Sequence, residues 1–314
     1  MSSGKVIGDN YKIVRLIGKG AFGSVYLTHD KNKNYYASKV ESRQESSRLI
    51  DEYKIYRYLH KHDVKDGIAK IYSLIQTPKF NMMVMELLGE SLDTLFTKSN
   101  KKFDLPTVLH LGINIINLLE QVHNAGFIHR DIKPNNFLIG YGDAGDKLYL
   151  TDFGLSKNYV RDGRHIDYNT KRNLIGTLRY ASINMHMGIE PSRRDDCESV
   201  GYMLIYFLKG RLPWQGLKKK KGDDQVELIG DVKMSTSIES LCNGIHDNFG
   251  KYIRTCRNLK FEERPDYGTL RGYFQEIADE LDIDPRYQWA RHDAHEARNA
   301  RDTRSKDTDT TNDT

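Results

Sequence analysis

The sequence predicts an α+β protein of two lobes, a small β-rich one followed by a larger, mostly helical one. Three observations predict it. Roughly the first ninety residues alternate apolar and polar side chains in short runs around a single helical stretch. Roughly the next two hundred carry apolar residues at helical spacing instead. The length, 314 residues, allows one large domain or two compact ones and a sizeable core. The change of texture falls near Leu87 to Ser91, which places the joint there.

In the first part, Tyr11 to Ile17 and Ser24 to His29 flank a glycine cluster and read as a hairpin. Tyr35 to Val40 and Met82 to Glu86 supply further strands. Between them, Leu49, Ile50, Tyr53, Ile55, Tyr56 and Leu59 fall largely at helical offsets, predicting a helix over 46–59 with Ser46 or Ser47 as N-cap. In the second part, Leu111, Ile115, Leu118, Leu119 and Val122 form a stripe that starts after Pro106 and stops at Gly126, a residue type suited to the C′ position. Cys197, Val200, Leu204, Phe207 and Leu208 repeat the pattern and end at Gly210. Residues 291–314 have hardly an apolar side chain and read as a disordered polar tail. With 1–10 as an N-terminal segment, the folded unit is expected over 11–290, its lobes at about 11–88 and 89–290. No internal repeat supports a solenoid or propeller.

Composition narrows the class further. Hydrophobic residues are 38%, charged residues 29% and Pro only 7, which excludes collagen-like, Pro-rich and mostly disordered chains. The longest apolar or aromatic run in the middle of the chain, Tyr202 to Leu208, is far short of the roughly 18–20 residues of a membrane span. The start lacks an apolar signal region and has Ser2 where myristoylation needs glycine; the end has no prenylation Cys. No membrane association is expected. Cys197, Cys242 and Cys256 are an odd number without C-x-x-C spacing, so neither a disulfide framework nor a zinc site is expected, and a reducing intracellular compartment fits. The net charge of +5 is mild, and no nucleic-acid partner is inferred from it.

Gly18-Lys19-Gly20-Ala21-Phe22-Gly23-Ser24-Val25 is a G-x-G-x-x-G cluster, whose glycines let backbone N–H groups approach phosphate oxygens. Three readings are open for it: a dinucleotide site with Glu41 as the acidic residue, a structural hairpin turn, or a strand-loop-strand flap over a nucleotide. Alternation in Ser24 to Thr28 favours strand after the loop. Lys39 lies sixteen residues after Gly23 in a predicted strand. It is either a solvated edge residue or a holder of α- and β-phosphates, oriented by Glu52 on the following helix. The decisive string is His129-Arg130-Asp131-Ile132-Lys133-Pro134-Asn135-Asn136, with Asp152-Phe153-Gly154 beginning twenty-one residues after Asp131. Phosphoryl transfer needs a carboxylate near the attacking hydroxyl, a cation near the transferring group and oxygen ligands for Mg²⁺. Asp131, Lys133, and the pair Asn136 and Asp152 supply these in order.

With these motifs the chain resembles the protein kinase family over about residues 10–290. It is similar, more narrowly, to the casein kinase I family. Asn81 to Gly89 with Ser91-Leu92, Asn136-Phe137-Leu138, Gly176-Thr177-Leu178-Arg179-Tyr180-Ala181-Ser182-Ile183-Asn184, Ser192 to Asp196 and Leu212 to Leu217 carry that likeness. Ser182-Ile183-Asn184 is the specific part, because most protein kinases have Ala-Pro-Glu there. The resemblance implies a two-lobed, ATP- and Mg²⁺-dependent serine/threonine kinase acting on proteins with acidic or phosphorylated segments. It also implies that Ile17 and Val25 cover the adenine, Ala37 lines it, Leu138 forms its floor, Met85 is the gatekeeper, and Glu86 and Leu88 offer backbone hydrogen bonds. Arg130 is expected to contact the segment after Gly154.

Departures from that family are equally legible. Its members follow Trp-Gln-Gly-Leu with spaced basic residues which, with the Arg of Gly-Thr-x-Arg-Tyr, bind an anion. This chain has Lys218-Lys219-Lys220-Lys221 and then Gly222-Asp223-Asp224-Gln225. Arg179 and Lys218 remain the candidates for that anion site, with a solvated loop or a nuclear localisation patch as the alternatives for the lysines. The expected location is cytoplasmic, with the nucleus as a second compartment. Asn135 replaces an Asp beside Asn136, and Arg264 cannot form the ion pair that other kinases make with the Glu of Ala-Pro-Glu, because Asn184 stands in its place. No heptad run argues for a coiled coil, and a monomer is expected. A catalytically silent scaffold of the same fold is the alternative function. Lys39, Asp131 and Asp152, the residues that silent relatives lose, are all present.

Overall fold

The computed structural model describes residues 4, 6–7, 10–20, 23–43, 47–218, 222 and 224–289. The first part is a six-stranded antiparallel sheet ordered β1-β2-β3-β4-β6-β5, with β1 at Val6–Ile7, β2 at Tyr11–Gly20, β3 at Gly23–His29, β4 at Tyr35–Ser42, β5 at Ile71–Gln76 and β6 at Phe80–Met85. The expected hairpin is β2–β3, which closes with Gly20 opposite Gly23. β5 was not anticipated. It is one of the two edge strands, the other being β1, which is likewise absent from the expected strands; Ile71, Ser73, Leu74 and Ile75 are only half-buried, so no clear period-2 alternation marks β5. In the central register Ala37 faces Met85 and Lys39 faces Met83, which sets the lysine and the hinge end of β6 on neighbouring strands.

Helix α1 (Arg48–Lys61) packs on this sheet and is capped by Ser47, whose side chain accepts from the N–H of Ile50. Of the two candidate caps, Ser46 lies outside the described residues. The buried stripe of α1 is Leu49, Glu52, Tyr56 and Leu59. A glutamate within an apolar stripe has to be paired, because an isolated buried carboxylate is strongly disfavoured.

The second part is helical. Among the described residues it comprises α2 (Leu92–Lys98), α3 (Leu105–Asn124), α4 (Ile183–His186), α5 (Arg193–Lys209), α6 (Gln225–Ser235), α7 (Ile238–Cys242), α8 (Asp247–Asn258) and α9 (Tyr267–Glu280). Helix α3 begins at Leu105, ahead of Pro106 rather than after it, with Asp104 as N-cap. A proline in the first turn removes no intrahelical bond, since those N–H groups have no partner in the helix. Its C-terminal end is turned by Gly126 at φ +88°, as expected. α5 is buried on every side from Asp195 to Phe207 and runs between α3 and α8. A Cβ on Gly201 would lie 2.4 Å from Ile253 Cδ1, so glycine is what lets α8 approach. Gly210 ends α5 at φ +75°.

One apolar core joins the two parts, running from Leu49, Tyr56 and Met83 through Phe153 to Leu111, Leu204 and Phe274. The three cysteines are buried and unbonded. No helix among the described residues is long and apolar enough to cross a membrane. The expected tail over 291–314 lies outside the described residues, as do Lys219, Lys220, Lys221 and Asp223.

Candidate active site

Between the sheet and the helices lies a cleft of about 860 Å³. Ile17, Gly18, Lys19, Gly20, Gly23, Val25, Ala37 and Lys39 line it from the sheet. Met85, Glu86 and Leu88 form its back edge, with Leu138, Asn136 and Asp152 below. Ser24 is not among the lining residues: in a strand successive side chains alternate faces, and the neighbouring Val25 is the one on the cleft side. Ala21 and Phe22 lie outside the described residues. Glu86 faces away, because its carboxylate accepts from the Lys70 N–H at 3.0 Å and from the Tyr149 hydroxyl at 3.3 Å. Its own N–H donates to Lys70 O at 2.8 Å, so its backbone contact to a ligand would have to come from its carbonyl.

The deep end of the cleft is charged. Lys39 Nζ donates to Glu52 Oε2 and to Asp152 Oδ1, each at 2.7 Å. Burial alone would favour neutral forms here, but the two carboxylates hold the ammonium well above its usual pKa. Asp152 is likewise pushed up by burial, and the Lys39 charge overcomes this and holds it below the usual carboxylate range. It therefore stays an anionic ligand group. Among the described residues no group of three or more His, Cys, Asp or Glu side chains is arranged to hold a metal. A divalent ion completed by phosphates needs only one or two protein oxygens, and Asp152 and Asn136 line the cleft with side-chain oxygens that could supply them. Phe153, next in the chain, is fully buried edge-on against Tyr56 and His129, with ring centroids at 5.0 and 5.3 Å. Tyr56 OH also accepts from the Asp152 N–H at 3.3 Å.

Asp131 is buried beside the cleft, and neither it nor Lys133 is among the lining residues. Lys133 Nζ donates to its Oδ2 at 2.5 Å, Thr177 Oγ1 donates to its Oδ1 at 2.8 Å, and Asn136 Nδ2 donates to its carbonyl at 2.8 Å. The loop carrying it hangs from α5. Asp196 Oδ2 accepts from the His129 N–H at 2.7 Å and from His123 Nε2 at 2.9 Å, while Oδ1 accepts from the Arg130 N–H at 2.8 Å. Burial would raise the Asp196 carboxyl, but these bonds and the histidines bring it below the usual range. Arg130 itself sits at φ +68°, a left-handed conformation that a non-glycine residue keeps only when its surroundings enforce it. Its Nε donates to Leu155 O at 2.6 Å, which is the expected contact with the segment after Gly154.

The segment from Gly176 to Asn184 closes over Asp131. Gly176 has φ +88°, and a Cβ there would lie 2.5 Å from Arg130 O, so only glycine lets the two backbones touch. The half-buried Arg179 places its guanidinium over the rings of Tyr180 and Tyr206, at 5.7 and 5.3 Å. Lys218 is exposed. With Asn184 in place of an acid, Arg264 pairs with Glu120 at 3.0 Å instead. Glu198 secures the segment's far end, accepting from the Ile183 N–H at 3.4 Å and from Arg257 Nε at 3.3 Å.

Sequence reasoning assigned no role to Asp196, Thr177, Tyr56 or Glu198. Asp196 had a faint signal, as one of two adjacent acids opening a helix of apolar periodicity; a carboxylate there with no basic residue at i+4 is a candidate for tertiary use. Thr177 lies in the Gly176 to Asn184 string, but its meeting with Asp131 across 46 residues of chain is not readable from that string. Residues 11–273 match the family model described as Protein kinase domain.

Proposed function

This chain belongs to the protein kinase family, and we propose that it is a serine/threonine kinase of the casein kinase I type, directed to acidic or already phosphorylated protein segments. As a protein kinase it uses ATP and a divalent metal. The finer reading is carried by one observation: Asp131 shares its two oxygens between Lys133 and Thr177, beside a cleft whose inner wall holds the Lys39–Glu52–Asp152 cluster. A lysine two residues after the aspartate is the serine/threonine arrangement in the family resembled.

In this reading ATP lies with its adenine between Ile17, Val25 and Ala37 above and Leu138 below, with Met85, Glu86 and Leu88 along the edge. Gly18 to Val25 cover the phosphates, and Lys39, kept in place by Glu52, holds the α- and β-phosphates. Asn136 and Asp152 would hold Mg²⁺, which when bound neutralises charge on the phosphates. Asp131 orients the substrate hydroxyl and takes its proton as the oxygen bonds to the γ-phosphorus. The bond from that phosphorus to the β-phosphate oxygen breaks and ADP leaves, while Lys133 stabilises the equatorial oxygens. Arg179 and Lys218 are the cations for an acidic or phosphorylated substrate residue.

The test is phosphate transfer from labelled ATP to an acidic, a phosphoprimed and a neutral peptide, with Asp131→Asn as the control. Transfer to serine or threonine, faster on the two anionic peptides and lost in the control, is expected. No transfer by the wild-type chain that still binds ATP defeats the kinase reading of these residues. Equal rates on all three peptides defeat the anion site.

A further inference from the structure

Lys233 on α6 is wholly buried, yet among the described residues no carboxylate pairs with it. Its Nζ donates to Leu178 O at 2.7 Å and to Ala181 O at 2.6 Å. The same ammonium lies over the rings of Tyr202 and Trp214, 5.2 and 5.1 Å from their centroids. Burial pulls its pKa down to about 7, with Glu198 opposing and Arg257 reinforcing that shift. A position needing only apolar packing is better served by leucine or methionine, because a buried cation without a counter-charge is costly. What the lysine supplies is donors. Residues 178–180 form a turn and Ala181 follows it outside any helix or strand, so these carbonyls have no helix or sheet ladder to satisfy them, and a buried carbonyl needs a partner.

Trp214 completes the arrangement, since its Nε1 donates to Arg179 O at 2.7 Å. Two side chains from outside the segment thus take the carbonyls of Leu178, Arg179 and Ala181. At its start the segment is bonded to Asp131 through Thr177, and at its end Ser182 Oγ donates to Asp195 Oδ1 at 2.6 Å. In the reading proposed above, a protein substrate whose hydroxyl reaches Asp131 lays its neighbouring residues along this turn, which is tied to Asp131 through Thr177. None of residues 176–184 lines the cleft in which the adenine and the α- and β-phosphates are placed above.

We propose that Lys233, assisted by Trp214, is a positioning residue for the protein substrate: by binding the carbonyls of the 178–181 stretch it fixes the surface on which the peptide docks, and it acts on peptide binding rather than on ATP. The proposal rests on Asp131 and the 176–184 segment serving the peptide as proposed above. Deleting the donors lets the turn sag away from Asp131 while the cleft keeps its shape.

The experiment compares wild-type chain, Lys233→Met, Lys233→Gln and Trp214→Phe, using steady-state kinetics on a serine peptide and hydrogen exchange by mass spectrometry. Lys233→Met is expected to raise the peptide KM about tenfold, which corresponds to about 1.4 kcal/mol of peptide binding lost with the donors that hold the turn. The ATP KM is expected to stay within about twofold. Lys233→Gln, which keeps N–H donors, recovers part of the loss, and Trp214→Phe shows a smaller rise of the same kind. Amides over 177–183 exchange faster in Lys233→Met while those over 131–136 keep their protection. An unchanged peptide KM in the folded variants overturns the proposal, and so does a parallel rise in both KM values. If Lys233→Met does not fold, unchanged peptide KM values in Lys233→Gln and Trp214→Phe overturn it. A wild-type chain that phosphorylates no peptide defeats the kinase reading instead; unaltered exchange at 177–183 then overturns the bracing itself.

Discussion

Replacing Asp196 by alanine removes one carboxylate and strands three donors. The N–H groups of His129 and Arg130 lie 2.7 and 2.8 Å from its oxygens and His123 Nε2 lies 2.9 Å away, in a site where Asp196 is 2% exposed and water cannot substitute. Hydrogen bonds to a charged acceptor contribute about 1.5–3 kcal/mol each, but they are not additive, and removing the carboxylate also removes its desolvation cost. Breaking a buried charged cluster from one side costs about 3–5 kcal/mol, and that is the expected loss. Against a total stability of roughly 5–15 kcal/mol for a domain, the variant retains a fold in water and unfolds at a much lower urea concentration. Arg130 then has less to hold it at φ +68°, so phosphate transfer falls more than the folded fraction does. Asp196→Asn keeps one accepting oxygen and turns an NH₂ toward the other donors, so an intermediate loss is expected. Because the Asp196 carboxyl is depressed in the folded chain, its contribution is complete above the unfolded value of about 3.9 and is lost as the pH falls below it. Urea unfolding followed by tryptophan fluorescence, paired with transfer rates corrected for folded fraction, measures both effects. An alanine variant within about 1 kcal/mol of wild type and fully active would refute the suspended-loop argument.

Further outcomes follow from other parts of the site. Asp131→Asn is expected to lower phosphate transfer about 10²–10⁴-fold with the ATP KM little changed; a loss under tenfold would deny Asp131 the role of base. Gly176→Ala forces a Cβ to 2.5 Å from Arg130 O at φ +88°, so the segment must move off the loop, and a folded variant with a raised peptide KM is expected; wild-type kinetics would contradict the close approach. His186 is depressed to about 4 by burial and then by the Lys233 charge. Its neutral form is favoured in the fold, so stability is full above the unfolded pKa of about 6.5 and is lost as the pH falls toward 4. In His186→Asn, whose amide can keep the bond to Val226 O, the urea midpoint is expected to fall less between pH 7 and 5; an unchanged slope would remove His186 from the account.

The sequence by itself determined the family-level architecture and the motif residues. Glycine clusters, a lysine in a strand, and the strings around Asp131 and Asp152 are local patterns, readable because phosphate chemistry demands particular residue types at short spacings. Helix and strand periods are legible in β2, β3, α1 and α3, are not read out for α8 and α9, and fade at the edge strand β5, where Tyr72 and Gln76 are exposed and the other side chains only half-buried. What tertiary structure alone decided is which distant groups answer the local ones. Lys39 meets Asp152 across 113 residues, Asp196 meets the backbone of His129 across 67, and Lys233 meets Ala181 across 52. Lys233 and Asp196 look in sequence like solvated helix charges. Whether a charge on a helix meets water or a stranded backbone group depends on which face its neighbours cover, and chain packing sets that rather than local spacing.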